Sequence, residues 1–129
     1  MMYFSISELT FSTKARELHI DNTPFSLTII DNLTNLTENL LDPIREMWGK
    51  PLHVNSGYRC PALNKAVGSK PTSQHLKGEA ADITTGSKAE NKKLFEMIKD
   101  SGLVYDQLID EYGYSWVHIS LKKDGKNRK

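Results

Sequence analysis

The segment SQHLKGEAAD, residues 73–82, carries a histidine and an aspartate seven positions apart, with a glycine between them. A second segment, SWVHISL, residues 115–121, carries another histidine. Two imidazoles and one carboxylate suit a catalytic zinc, because three protein donors leave a fourth position for water. The residual charge of such a centre lowers the pKa of bound water toward ~7. A nearby carboxylate must then take the proton and hand it to a leaving amine. Glu111, at a turn just before the second segment, is the leading candidate, with Asp110 and Asp106 as weaker ones. His19, beside a turn, and His53, on a strand ahead of the cleft, read as ordinary polar residues.

Strand period decides which of these side chains can meet. In EAADI, Ala80 and Asp82 share one face while Ala81 and Ile83 share the other. In SWVHISL, Trp116, His118 and Ser120 share a face opposite Val117, Ile119 and Leu121. The apolar set belongs in the core, so His118 projects into a cleft. If the two strands are neighbours, Asp82 and His118 converge there. His75 precedes the first strand, and Gly78 lets the chain turn so that its imidazole reaches the same point.

The remaining elements form a scaffold for those strands. Asp21, Asn22 and Pro24 mark a turn, with Pro24 setting φ for a helix start. Leu27, Ile30, Leu33, Leu36, Leu40, Ile44 and Met47 recur as one apolar helical face, stopped by Gly49 and Pro51. Pro43 inside this pattern predicts a kink or a split. PLHVNSG reads as a strand and CPALNKAVG as a short helix. SKAENKKLFEMIKDSG reads as a helix with Leu94, Phe95 and Ile98 inward and Gly102 as its stop. VYDQLID and SWVHISL form a hairpin around EYGY. The pattern predicts an α+β fold: a small antiparallel sheet with N-terminal and flanking helices.

A chain of 129 residues suits one domain, with a helical part over 1–50 and a basic tail over 122–129. Hydrophobic residues at 38% and charged residues at 26% indicate a soluble globular chain. A net charge of +1 argues against a nucleic-acid binder. Only the tail, LKKDGKNRK, is clearly basic, and it reads as a solvated, frayed terminus, with weak attraction to an anionic polymer as the alternative. Cys60 is the sole cysteine, so no internal disulfide forms, and it reads as a small buried residue. No apolar run approaches the roughly 18 residues of a membrane span. The start, MMYFSISELT, lacks the pattern of a signal peptide.

SQHLKGEAAD resembles the S-x-H-x-x-G-x-A-x-D motif of the M15 zinc peptidases, the M15A-like group of D-alanyl-D-alanine carboxypeptidases and phage endolysins. WVHIS resembles that family's second ligand motif, and NSGYRCPALNKAVG its upstream segment, so the resemblance runs from about Asp42 to Ser120. It implies a hedgehog/D,D-peptidase-like fold and Zn2+ held by His75, Asp82 and His118. It implies that Arg59 binds or polarises the substrate. Ser73 then bonds a ligand or backbone group behind the site, or caps its loop. Trp116 walls the cleft and stacks on substrate, or simply packs. The departure is at the base: the position three before the last histidine is Ser115, and Glu111 lies seven before it where other members have a glutamate about six before. A hairpin loop tolerates the extra residue. The implied activity is hydrolysis of peptidoglycan stem peptides, by a D,D-carboxypeptidase or a murein endopeptidase. The implied setting is synthesis in the bacterial cytoplasm followed by phage-type release to the wall. A zinc-stabilised, non-catalytic wall-binding module is the alternative.

Overall fold

The structure, a computed structural model, describes residues 2–128. Its centre is a four-stranded antiparallel sheet: β1 (His53–Ser56), β2 (Ala80–Thr84), β3 (Gln107–Glu111) and β4 (Trp116–Ser120). The spatial order is β1-β2-β4-β3, so β4 of the hairpin lies beside β2. Ala81, Ile83, Val117 and Ile119 are fully buried and join one core with Leu33, Leu36, Leu40, Ile44, Leu94 and Ile98. One sheet face is thus packed by helices, and alternation sends Asp82 and His118 to the other. This is the α+β arrangement that the sequence predicts.

Two short helices precede the long apolar pattern. Helix α1 (Ile6–Thr10) is capped by Ser5 and α2 (Thr13–Glu17) by Ser12. Each hydroxyl accepts an otherwise orphaned backbone N–H. Five residues are too few for a periodic signal, so within the helical part over 1–50 the sequence gives neither helix bounds of its own.

Helix α3 (Leu27–Leu36) starts at the Ser26 cap, two residues beyond Pro24. It runs into a π-helical turn over Thr37–Leu41 and then α4 (Asp42–Trp48). Pro43 therefore neither ends the helix nor splits it. It lacks an N–H and its ring would strike the carbonyl four residues back, so the turn before it widens. The Asp42 N–H accordingly donates to the Thr37 carbonyl, five residues back. Gly49, at φ 75°, ends α4. Helices α5 (Pro61–Ala66) and α6 (Lys88–Asp100) fall where the sequence places them.

The described part of the tail, 122–128, is tied down and not frayed, which corrects the sequence reading. Arg128 donates to Asp106 from its backbone N–H at 2.9 Å, from Nε at 3.1 Å and from Nη2 at 2.6 Å. The Lys122 N–H donates to Asn127 Oδ1 at 2.8 Å, which closes the intervening turn. The cause is Asp106: its side chain is fully buried and needs a counter-charge. Hydrogen bonds from Arg128 outweigh burial and lower the Asp106 pKa from 3.8 to about 2. A carboxyl whose folded pKa is lowered stabilises the fold above its ordinary pKa and loses that effect as pH falls through the folded value. Arg128→Ala is therefore expected to melt below the parent protein at pH 7, with the gap closing between pH 3.8 and about 2. Equal melting at pH 7, measured by circular dichroism, would show that the contact contributes nothing.

Candidate metal centre

Asp82 lies directly opposite His118 in the β2–β4 ladder, on the sheet face away from the core. His118 Nδ1 is 2.9 Å from Asp82 Oδ1. The third member comes from a 3-10 turn, Gln74–Lys77, which leads into β2. His75 Nε2 lies 3.4 Å from the same Asp82 oxygen. One donor atom from each residue lies within 4.8 Å of the others. The three are 3%, 8% and 9% exposed for His75, Asp82 and His118. Gly78 ends the 3-10 turn at φ 74°, and a Cβ there would stand 2.9 Å from the Ile29 carbonyl oxygen. Both the dihedral and the space demand glycine, and this allows the chain to swing from His75 into β2.

This donor set fits a zinc ion. His75 Nδ1 is 2.6 Å from the Gly57 carbonyl oxygen. A carbonyl only accepts, so Nδ1 carries the proton and Nε2 presents its lone pair toward Asp82. Metal-binding histidines are oriented by such a partner on the far nitrogen. Burial alone would raise the Asp82 pKa, but the flanking His118 and His75 imidazoles outweigh it and hold the carboxyl below its ordinary range. An ionised, buried carboxylate between two imidazoles is the ligand combination of a catalytic zinc site.

The loop behind His75 is fixed by the N-terminal helices. A Cβ on Gly57 would sit 2.2 Å from the Leu9 carbonyl oxygen of α1. The next residue, Tyr58, donates its N–H to that same oxygen at 2.8 Å. The Arg59 N–H donates to the His75 carbonyl at 3.0 Å. Asn22, read from sequence only as a turn residue, ties this loop down. Its amide donates to the Thr10 and Tyr58 carbonyls, each at 2.9 Å, and its oxygen accepts the Cys60 N–H at 2.7 Å. Cys60 itself is buried and free.

Arg59 emerges from this loop into a cavity of about 410 Å3 that it shares with His75, Asp82, His118 and Glu111. Among the described residues it has no carboxylate ion-pair partner; Nη2 reaches only Ser73 Oγ at 3.4 Å and Ser69 Oγ at 3.5 Å. Its Nε is buried without a partner. Burial works against the charged form, and nearby Asp82 supports it. Ser73 does two things: it caps the turn by accepting the His75 N–H at 3.2 Å, and it contacts Arg59.

Glu111 ends β3 and pairs with Trp116 across the hairpin, and both line the cavity. Asp110 and Asp106 do not line it; Asp110 is exposed and Asp106 is held by Arg128. The connecting turn has three consecutive positive φ values: 49° at Tyr112, 63° at Gly113 and 66° at Tyr114. The two tyrosines each cost roughly 1–2 kcal/mol in that conformation. Asn91 of α6 offsets this by donating to the Tyr114 and Ser115 carbonyls at 2.9 and 3.2 Å, bonds worth about 1 kcal/mol each. Asn91 is buried in line with Leu94 and Ile98, and a polar residue on that apolar stripe was the signal that sequence reading passed over. Trp116 walls the cavity, stands 5.0 Å from the Tyr112 ring, and has a buried Nε1 without a partner. His19 and His53 are exposed and outside the cluster.

An α+β protein with a buried His–Asp–His cluster beside an unpaired guanidinium has the make-up of a metallopeptidase. Residues 2–120 match the family Peptidase M15, and the chain belongs to that family. It is therefore a peptidase, of a family that is generally zinc-dependent and associated with peptidoglycan-related substrates. No curated protein matches the chain. Among the described residues no helix is long and apolar enough to cross a membrane.

The Leu9–Gly57–His75 stack gives a test away from the donors themselves. Gly57→Ala is expected to displace the Gly57 carbonyl from His75 and weaken zinc affinity by about 10-fold or more. Competition against a chromophoric chelator measures it. Parent-like affinity in the folded variant would mean that this carbonyl does not orient His75.

Proposed function

We propose that this chain is a zinc peptidase that hydrolyses peptidoglycan stem peptides, with His75 Nε2, Asp82 Oδ1 and His118 Nδ1 as the metal donors. The convergence of these three atoms in one cavity with Arg59 and Glu111 carries the reading. Bound zinc would supply a Lewis acid and a water made nucleophilic near neutral pH.

The chain's own groups divide the remaining work. The Glu111 carboxylate accepts the proton of the attacking water and passes it to the peptide nitrogen as the C–N bond breaks. The Arg59 guanidinium, which lines the cavity and among the described residues has no carboxylate partner, neutralises charge on the scissile carbonyl oxygen or holds a substrate carboxylate. Trp116 walls the cavity and offers its ring to a substrate side chain. Ser73 keeps Arg59 and the His75 turn in register. The bond cut is either the terminal D-Ala-D-Ala linkage or one within the stem or cross-bridge. Phage or prophage lysis is the biological setting, by analogy with the family's endolysins.

Glu111→Gln is expected to keep one zinc per chain and lower turnover about 100-fold or more. Unchanged turnover on purified stem peptides would remove Glu111 from the mechanism. His75→Ala is expected to lose zinc under dialysis, and stoichiometric retention by elemental analysis would contradict its role as a donor. The placement of Glu111, seven residues before His118, favours a second reading: a zinc-stabilised wall-binding module. Binding to sacculi by the zinc-loaded protein with no cleavage products would select it.

A further inference from the structure

Among the described residues the Glu111 carboxylate has no hydrogen-bond or ion-pair partner. Its place in the cavity is therefore set by its backbone. That backbone is supported on one side only, because β3 is an edge strand that pairs with β4 alone. Glu111 ends β3, and the three residues after it all have positive φ. Tyrosine carries a steric penalty in the left-handed region, so an unrestrained turn of this kind would relax. Two of its bonds lie within the turn and move with it: the Ser115 N–H donates to the Glu111 carbonyl at 3.0 Å, and the Ser115 hydroxyl to the Tyr112 carbonyl at 2.8 Å. The outside hold comes from α6. Asn91 Nδ2 donates to the Tyr114 and Ser115 carbonyls, and Phe95, one helical turn on, packs edge-on against Tyr114 with ring centres 5.7 Å apart. The other end of the same amide grips β2 and the residue after it. Asn91 Oδ1 accepts the Thr85 N–H at 2.8 Å and the Thr85 hydroxyl at 2.7 Å, and Nδ2 also reaches Thr84 Oγ1 at 3.0 Å. Thr84 ends β2, the strand that carries Asp82.

We propose that Asn91 is a positioning residue for the general base: it fixes Glu111 relative to Asp82 by clamping the 112–115 turn to the end of β2. The inference rests on Glu111 being the base, as in the reading above, and adds the residue that aims it. The two ends of the amide do different jobs. Only its N–H groups can bind the turn carbonyls, and only its oxygen can accept the Thr85 N–H. Asn91 is 1% exposed, so water does not replace either end. The metal donors do not depend on this clamp. Asp82 and His118 are held by the burial of Ala81, Ile83, Val117 and Ile119, and His75 by the Gly57 carbonyl. Loss of the clamp therefore moves the base and leaves the donors where they are.

Asn91→Asp separates the two ends, since a carboxylate keeps the acceptor for Thr85 and loses the donors for the turn. In the full zinc-loaded chain acting on purified stem peptides, it is expected to lower kcat about 10- to 100-fold, the cost of a misplaced catalytic group, with KM and zinc affinity near the parent's. Asn91→Ala removes the donors without adding a charge, is expected to act alike, and serves if Asn91→Asp does not fold. Tyr114→Gly removes strain that Asn91 opposes, so in that background Asn91→Asp is expected to lower kcat much less. Amide hydrogen exchange needs no turnover: the Ser115 N–H is expected to exchange faster in Asn91→Asp, and the His118 N–H at the parent rate. A parent-like kcat in Asn91→Asp, with Glu111→Gln slow, would overturn the inference and leave Glu111 as the base. Zinc loss, or an equal drop in kcat in the Tyr114→Gly background, would overturn it as well and make Asn91 a general support of the fold. A parent-like rate in Glu111→Gln would remove the base reading itself, and faster Ser115 exchange would then leave Asn91 as a clamp on the turn alone.

Discussion

The pairing of β2 with β4 is the constraint on which the site depends. Ala81, Ile83, Val117 and Ile119 are driven into the core from one face of these two strands, and that burial fixes their register. With the register fixed, Asp82 and His118 stand opposite each other on the other face. A slip of one residue would send both polar groups into the core and the apolar set into the cleft. The cost would far exceed the few kcal/mol by which small proteins are stable. The hydrophobic effect thus positions two polar groups that it does not touch.

The third group needs a different device, because His75 comes from a turn and not from the sheet. Its ring is aimed by a backbone carbonyl, and that carbonyl is placed by contact between Gly57 and α1. The N-terminal helices are therefore part of the site's support. On the opposite wall, Asn91 holds a strained turn beside Glu111 and Tyr112. Strain held by a buried amide is a way to keep a loop in one conformation where chemistry needs it.

How much of this was legible in the sequence follows from the range of each interaction. Alternation is local, so the faces of Asp82 and His118 were readable, and their meeting needed only the assumption that the strands are neighbours. Gly49 and Gly78 announced their turns for the same reason. Asn22 and Gly57 were not readable as supports, since their partners lie far along the chain: Asn22 bonds Tyr58 and Cys60 across 36 and 38 positions. Arg128 looked like part of a solvated basic tail because its partner, Asp106, is 22 residues away. Pro43 announced a disturbance, but whether the helix breaks or widens depends on the buried leucines on either side.

The central claim is that zinc sits on His75, Asp82 and His118. Anomalous diffraction from crystals of the zinc-loaded protein, collected on both sides of the zinc absorption edge, tests it most directly. The account expects one strong peak about 2.0–2.2 Å from His75 Nε2, His118 Nδ1 and an Asp82 oxygen. A zinc peak elsewhere, or one held without Asp82, would contradict it.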